Sequence, residues 1–246
     1  MTFTKRTLKA ELRKISDLTV SQKNSMWEVF CRYYDNASRE AFERDLEQKT
    51  EVILLKDVKE GSIQGFSTLH FSKRIHEGKR VAVVFSGDTV IEKRYWGQSA
   101  LQWRFFFYVI RKKLTHPFHR TYWFLISKGY KTYLLLTRNF VEYWPRYEEP
   151  TPPWQLSLID TLSRERFSGA WVPERGVIDF KGTKDILRES IAPIREELLK
   201  VPDIRFFVEK NPGHGKGDEL CCLGRVDSRM AQVYPRKIIK RLLRKN

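Results

Sequence analysis

Cysteine is scarce in this chain of 246 residues, occurring only as Cys31, Cys221 and Cys222. An odd number with two adjacent members fits neither a disulfide framework nor the spacing of metal ligands, and the five histidines show no paired metal spacing either. We therefore expect no metal site and a reducing, cytoplasmic environment.

Long apolar runs are also missing. No uninterrupted apolar stretch approaches the roughly 20 residues that span a bilayer. The segment Met1–Leu18 carries basic residues but lacks the apolar core of a secretory signal. The glycine-rich segment Asn211–Gly217 lacks the Gly-Lys-Ser/Thr ending of a nucleotide-binding loop. The sequence therefore predicts no membrane span, signal peptide or P-loop.

Positive charge is present in excess, with 46 Lys and Arg against 30 Asp and Glu and a formal net charge of +16. Basic residues crowd the end of the chain without one acid, and apolar residues fall between them at helical spacing. This pattern indicates a basic amphipathic tail over residues 235–246. Such a tail suits a solvated helix docked by its apolar stripe, an anionic membrane surface, nucleic acid or an acidic protein partner, and charge alone does not choose among them.

Apolar periodicity and turn residues predict a mixed α/β chain. Before the middle of the chain the predicted elements are helices near Leu18–Tyr34 and Ser38–Lys49, three successive antiparallel strands at Glu51–Lys56, Ile63–Phe71 and Arg80–Ile91, a helix from Gly97 to Leu114, a strand at Thr121–Ser127 and a helix at Lys131–Arg138.

The prolines of Glu148–Pro153 mark a seam. We therefore divide the chain into a core of residues 1–147 and a C-terminal extension of residues 148–246, which we expect to continue the same sheet. In the extension the patterns predict a helix near Trp154–Phe167, strands at Val177–Phe180 and Ile204–Val208, and a helix near Lys184–Lys200.

The stretch Val81–Leu101 is the most informative part of the chain. It reads as an apolar strand, then a turn at Tyr95–Ala100, then a long helix. A small, glycine-bearing turn that opens a helix leaves backbone N–H groups free at the positive end of the helix dipole. The turn therefore predicts a site for the pyrophosphate of a cofactor.

This strand and turn, together with the element order around them, resemble the GNAT superfamily of acyl-CoA N-acyltransferases over roughly residues 20–147. The family motif is Gln/Arg-x-x-Gly-x-Gly/Ala, and a common variant reads Tyr-Trp-Gly-Gln-Gly at this turn. With Arg94 as the first motif position, Gly97 fits and Ser99 replaces the last small residue; with Trp96 first, Ser99 replaces the central glycine. The resemblance implies an α/β fold with a mostly antiparallel central sheet, a splayed strand pair and flanking helices.

The resemblance also implies acetyl-CoA or another acyl-CoA as co-substrate, no metal, and an amine as acceptor. Strand Tyr122–Ser127 would splay from strand Val81–Ile91 and open the cleft where thioester and amine meet. The implied binding residues are Thr89, Val90 and Ile91 for the pantetheine arm, Arg94, Trp96, Gly97, Gln98, Ser99, Ala100 and Leu101 for the pyrophosphate, and Ser86, Gly87 and Tyr130 for the acceptor.

Acyl transfer to an amine needs a base for the ammonium and an acid for the departing thiolate. Asp88 interrupts an apolar strand just before the turn and is the candidate base; the alternative is a bulge residue satisfied by neighbouring N–H groups. The family often takes its acid from a tyrosine on the helix after the splayed strand, a position that Leu135 occupies here. Tyr133, with Ser127 as a second hydroxyl, is the candidate acid, and a buried core tyrosine is the alternative.

These observations predict direct acyl transfer from acyl-CoA to an amine. The dense aromatics of Phe105–Tyr108 and Trp123-Phe124 are either helix–sheet packing or a tunnel for a long acyl chain. The first alternative is therefore a long-chain N-acyltransferase, similar to N-acyl amino acid synthases, that takes its chain from an acidic acyl carrier protein. The second is a catalytically degenerate GNAT fold that binds nucleic acid or an anionic membrane through its basic surface.

Overall fold

The computed structural model describes residues 7–182, 186–187 and 193–243, without the side chains of residues 186, 187, 238 and 241–243. The described strands are β1 (Leu8–Lys14), β2 (Tyr34–Asp35), β3 (Glu51–Asp57), β4 (Ile63–His76), β5 (Lys79–Ile91), β6 (Arg120–Ser127), β7 (Tyr143–Trp144), β8 (Trp171–Val172), β9 (Val177–Ile178), β10 (Ile186–Leu187) and β11 (Glu219–Val226).

Most of these strands belong to one open sheet in the order β1-β3-β4-β5-β6-β11-β9-β8, with β7 beside β11. The described pairs are antiparallel apart from β5 and β6, which run parallel. Strands β2 and β10 form a separate antiparallel pair. The predicted mixed α/β fold with a mostly antiparallel sheet is confirmed.

The helices are α1 (Val20–Cys31), α2 (Arg39–Glu47), α3 (Ala100–Thr115), α4 (Tyr130–Asn139), α5 (Pro153–Phe167), α6 (Pro202–Lys210) and α7 (Ser228–Leu243). Local sequence explains two of the starts. Thr19 and Gln22 form a capping box before α1, and the Ser38 hydroxyl accepts from the Ala41 N–H before α2. Throughout the described part of the chain, the helices are too short or too polar to span a bilayer.

The sheet separates two layers of helices. On one face α3, α4, α6 and α7 pack on buried residues such as Leu69 and Val84. On the other face α1 and α2 pack on Phe66 and Val90, and α5 packs on Phe85. Because side chains alternate along a strand, Phe85 and Val90 share a face only if one extra residue interrupts β5 between them.

The strands predicted at β3, β4 and β5 are confirmed, including their antiparallel order. The predicted strand Ile204–Val208 is wrong, because these residues belong to α6: Pro202 opens the helix, and Ile204 and Phe207 bury one helical face. The helix predicted near Lys184–Lys200 is also wrong where the chain is described. Ile186–Leu187 pairs with β2, and Glu196–Lys200 is a 3-10 helix; residues 183–185 and 188–192 lie outside the described residues.

Two other predictions change in their bounds. The helix expected from Gly97 begins at Ala100, and the strand expected at Val177–Phe180 is shorter, at Val177–Ile178. The C-terminal strand β11, which the sequence patterns did not reveal, pairs with β6 and joins β8 and β9 to the sheet. In the basic tail, residues 235–243 lie in α7, and residues 244–246 lie outside the described part.

Candidate functional site

The parallel strands β5 and β6 part halfway along the sheet. They pair from Val81 with Arg120 to Ser86 with Leu125. Beyond that point β5 stays on β4, whereas the end of β6 stays on β11. A wedge therefore opens between residues 87–91 of β5 and residues 126–127 of β6, and the predicted splay is present. At its apex the indole Nε1 of Trp123 donates to Ser86 Oγ at 2.8 Å.

Asp88 lies in a β-bulge at this wedge. The register of β4 and β5 changes from Leu69 opposite Ser86 to Ser67 opposite Thr89, so that Gly87 and Asp88 together face the single residue Thr68. Asp88 is half-buried. A bulge turns a side chain away from the direction that a regular strand would give it. The bulge expected as the alternative interpretation of Asp88 is therefore present, and its role as a base stays a prediction.

The turn after β5 has the geometry of an anion site. Gly97 adopts a left-handed φ of +85°. The first turn-closing bond of α3 runs from the Trp103 N–H to the Ser99 carbonyl at 2.9 Å, so the N–H groups of residues 100–102 precede it. The Ser99 side chain makes no capping hydrogen bond. These backbone donors and the helix dipole point toward the same end of α3, which suits a phosphate group.

Positive side chains surround this turn. The Lys131 Nζ of α4 lies 4.3 Å from the centroid of the Trp96 ring. Burial, followed by the nearby charge of Lys93, lowers the pKa of Lys131. The acid of the turn, Glu92, pairs with Arg32. The local potential is therefore positive and fits a pyrophosphate.

Three predicted binding residues of this region also have structural partners. The Trp96 Nε1 donates to the Ile91 carbonyl at 2.7 Å. The Gln98 Oε1 accepts from the Leu8 N–H at 2.9 Å and so ties the turn to the edge strand β1. Arg94 donates to Gln64 Oε1 at 2.5 Å. These bonds hold the turn in place, while the backbone N–H groups at the start of α3 face outward along the helix axis.

The candidate hydroxyls lie on the β6–α4 side of the wedge. Tyr133 is fully buried, and its hydroxyl donates to the Pro145 carbonyl at 2.9 Å. Burial raises the pKa of Tyr133, so the phenol stays protonated through the neutral range. Ser127 is also buried, and its hydroxyl donates to the Gly129 carbonyl at 2.9 Å. Tyr130 opens α4 and is buried as well.

The structure thus brings Asp88, Gly87 and Thr89 together on one side of the wedge and Ser127 and Tyr130 on the other. Tyr133 is turned toward α6, where its ring lies 5.9 Å from that of Phe207, centroid to centroid.

Sequence reasoning missed Lys131. It was predicted to lie on a helix, but only the fold brings the start of α4 against the turn before α3. Its one sequence signal is a basic residue in the first turn of the helix that follows the splayed strand.

The cysteines and histidines do not form a metal site in the described residues, where no group of three or more His, Cys, Asp or Glu side chains could hold an ion. Cys221 and Cys222 lie side by side in β11, and burial raises the pKa of both thiols. A thiol that stays protonated is a poor nucleophile. Neither cysteine is therefore a candidate for covalent catalysis.

Comparisons with known proteins find likeness in structure alone. No protein-family model and no curated protein matches the sequence. Similar solved structures include a conserved protein of unknown function from Enterococcus faecalis V583, described as a "Probable N-Acyltransferase", with 13% identity and a TM-score of 0.40 over 65% of this chain and 44% of that chain.

Two further similar structures are N-acetyltransferases. The GCN5-related enzyme from Kribbella flavida has 14% identity and a TM-score of 0.40 over 56% of this chain and 34% of its own. The GNAT family enzyme YhbS from Escherichia coli, in complex with CoA, has 16% identity and a TM-score of 0.35 over 51% of this chain and 66% of its own. The chain spans less than half the length of the Enterococcus faecalis protein and of the Kribbella flavida enzyme. At these identities and TM-scores the likenesses establish no activity for this chain, which must be argued from its own residues.

Proposed function

We propose that this chain binds an acyl-CoA in the wedge and transfers its acyl group directly to an amine. The observation that carries the proposal is the parting of β5 from β6 beyond Ser86 and Leu125, directly before a turn in which Gly97 is left-handed and α3 begins. On the side that faces β6, residues 87–91 of β5 have no strand beside them among the described residues. An extended amide-bearing arm can add to such an edge as a strand would.

The residues of the wedge match the parts of an acyl-CoA. The pantetheine amides would pair with the backbone of Thr89, Val90 and Ile91. The pyrophosphate would lie against the N–H groups that open α3, at residues 100–102, because the Trp96 and Gln98 N–H groups already donate to the Lys93 and Tyr95 carbonyls. Arg94 and Lys131 would supply positive charge. The thioester would then reach the apex of the wedge, beside Asp88.

The transfer requires two proton movements. The amine nitrogen forms a bond to the thioester carbonyl carbon, the carbon–sulfur bond breaks, and CoA leaves as its thiol. Asp88 would accept the proton from the incoming ammonium, directly or through water. Ser127, on the β6 side of the wedge, or Tyr133 would donate a proton to the departing thiolate; Tyr133 would first have to leave its bond to the Pro145 carbonyl. Because the step is direct, no acyl-enzyme intermediate is expected.

The aromatic side chains of α3 bear on the identity of the donor. The Phe105 ring lies 4.8 Å from that of Trp123, and the Phe106 ring lies 5.1 Å from that of Tyr234 in α7, centroid to centroid. These contacts are packing between helix and sheet and between two helices, which favours the packing interpretation over a tunnel. We therefore propose CoA as the carrier, and the acyl carrier protein remains the alternative donor.

The apolar side of α7 bears on the nucleic-acid and membrane alternative. Met230 and Tyr234 are buried, and Tyr234 stacks on Phe106 of α3. These contacts dock the first half of α7, whereas Ile239, in the apolar stripe of the basic tail, is 47% exposed. A charged surface that binds nucleic acid would show affinity that falls steeply with salt.

Calorimetric titration with acetyl-CoA and with a long-chain acyl-CoA tests the proposal. Gly97→Ala places a β-carbon on a left-handed backbone, at a cost of about 1–2 kcal/mol, and blocks close approach of the phosphate. Gly78→Ala is the matched control, because Gly78 has a φ of +73° in the β4–β5 turn with open space around it. We expect binding to weaken at least about tenfold in Gly97→Ala, because a turn that relaxes in the free protein must be restored on binding at about that cost. Binding should stay unchanged in Gly78→Ala.

Two outcomes would contradict the proposal: no binding of either thioester, or an equal loss of affinity in both glycine variants. The preferred chain length separates the acetyl donor from the long-chain donor.

A further inference from the structure

Four basic side chains converge on the α1/α2/α5 face of the sheet, beside the bulge. They are Lys49, which follows α2, His70 and Arg74 of β4, and Arg166 of α5, here called the cation cluster. The Phe85 ring lies between two of them, 5.5 Å from the Lys49 Nζ and 4.5 Å from the Arg166 guanidinium carbon. His70 pairs with Phe85 across β4 and β5, one step before the wedge opens.

The acids near the cation cluster are already engaged. Lys49 Nζ bonds the Asp45 carboxylate at 2.7 Å, and Arg74 pairs with Glu165 at 2.7 Å. Arg166 is half-buried, and among the described residues its guanidinium has no hydrogen-bond acceptor or ion-pair partner of its own. The pKa of Arg166 is lowered, first by burial and then by the charge of Arg74. The Glu165 and Asp45 carboxylates oppose this lowering from a distance. The guanidinium therefore keeps N–H donors that water or an anionic ligand can satisfy.

Two buried polar atoms at the same place also lack hydrogen-bond partners among the described residues. Thr68 is 1% exposed, and its hydroxyl has no hydrogen-bond partner; the Nδ1 of His70 has none either. Thr68 and His70 are two residues apart on one strand and so share a face. A β-carbon added at Gly87 would lie 2.8 Å from the Thr68 hydroxyl oxygen and 2.9 Å from the Lys49 Cε. Glycine at this bulge position therefore keeps the approach to the cation cluster from being filled.

We infer that the cation cluster, with Arg166 at its centre, binds an acidic group of the acceptor, a carboxylate or a phosphate, and so selects amines that carry one. This inference rests on the proposed function. The phosphate turn lies at the other end of the wedge and uses the start of α3, so donor and acceptor would each have an anion site of their own. The attacking amine would enter between them, beside Asp88.

The pKa of the His70 ring reports directly on an anion at this site. Burial and the charges of Arg166, Lys49 and Arg74 hold the pKa of His70 below its usual value, while the Gln48 carbonyl opposes them. An anion bound against Arg166 reverses part of this effect. We propose following the His70 ring by NMR, assigned with His70→Gln, in inorganic phosphate, in acetate and in sodium chloride at the same ionic strength.

Phosphate or acetate should raise the pKa of His70 by about half a unit or more relative to chloride, as an opposite charge at this range does. Arg166→Gln should abolish the rise. Arg164→Gln is the matched control on the same helix, because Arg164 is exposed and pairs with Asp160 at 2.8 Å; it should leave the rise intact. Equal values in all three salts, or a rise that survives Arg166→Gln, would overturn the inference.

A second measurement identifies the acidic group and links it to turnover. We expect phosphoethanolamine to be acylated at least tenfold faster than ethanolamine, or glycine at least tenfold faster than glycinamide, and Arg166→Gln to remove the difference. Equal rates within both pairs would overturn the inference while leaving acyl transfer intact. If the pKa of His70 rose with phosphate or acetate in a protein that binds no acyl-CoA, the anion site would stand and the proposed function would fail. The Gly97→Ala variant should show the same rise in the pKa of His70 as the wild type.

Discussion

The hydroxyl of Tyr95 donates a 2.6 Å hydrogen bond to the carboxylate of Asp57, and both side chains are buried. Asp57 ends β3 and also accepts from the backbone N–H groups of Lys59 and Glu60, at 2.8 and 2.9 Å. The bond therefore joins the turn before α3 to the turn after β3. The position of the turn before α3 thus depends on β3, a strand distant in sequence from it, in addition to the glycine within the turn.

Tyr95→Phe should destabilise the protein by about 1–3 kcal/mol, because a buried carboxylate loses one of its donors. Urea unfolding at an unchanged m-value measures this as a lower midpoint. Tyr147→Phe is the control, because Tyr147 is exposed. Removing its hydroxyl should change the free energy of unfolding by no more than about 0.5 kcal/mol. Equal midpoints for the two variants would show that the Tyr95–Asp57 bond contributes nothing.

Asp88→Asn should lower kcat by about 10²–10⁴-fold, the usual contribution of a general base. The affinity for acyl-CoA should not change, because the phosphate turn and the edge of β5 remain. Steady-state kinetics with a calorimetric Kd for the donor separates the two effects, and Asp88→Glu should recover part of kcat. A variant that keeps its kcat but unfolds earlier would instead make Asp88 a structural residue of the bulge.

Tyr133→Phe tests the candidate acid. Tyr133 carries its proton throughout the neutral range, and the burial that raises its pKa also makes it a weaker acid toward a thiolate. We expect kcat to fall by about 10²-fold with acyl-CoA, and the loss to shrink with a thioester whose thiol is more acidic, because that leaving group needs less assistance. If kcat fell equally with both thioesters and the unfolding midpoint also fell, the Tyr133 hydroxyl would have only a structural role, through its bond to the Pro145 carbonyl.

The sheet core and the turn could be predicted because their signals are local. Strands β3 to β5 show apolar runs between turn residues, and Gly97 marks the one position before α3 that needs a left-handed backbone. The bulge was predicted only as an alternative for Asp88. Its cause is a difference in residue count between β4 and β5, and that difference appears only when the two strands are in register.

Other elements could not be predicted because packing decides them. Strand β11 lies between β6 and β9 and is buried nearly throughout, so it lacks the alternation of a half-exposed strand. Ile204–Val208 is a short apolar run that fits a strand or a helix equally well; burial of Phe207 beside Tyr133 selects the helix. The cation cluster draws on α5, β4 and the end of α2, so its members come together only in the folded chain.

The stability of the protein should fall as the pH is lowered below about 6.5, the ordinary pKa of a histidine. His70 faces Lys49 from the end of α2, Arg74 from its own strand and Arg166 from α5; burial first and then these charges lower its pKa, against the Gln48 carbonyl. The unfolded chain therefore binds this proton at a higher pH than the folded chain does. The stability that follows from keeping His70 neutral is lost as the pH falls from the unfolded pKa toward the lower folded pKa.

Urea unfolding of the wild type and His70→Gln between about pH 7.5 and 5.5 measures this dependence, as the difference between the two slopes. The variant should show the shallower fall in unfolding free energy. His119, whose pKa is also lowered, contributes equally to both proteins and cancels in the difference. A slope in His70→Gln as steep as that of the wild type would mean that the neighbouring cations do not act on His70 in the folded chain. The same protein in phosphate should show a shallower fall than in chloride, because an anion beside Arg166 raises the folded pKa toward its unfolded value.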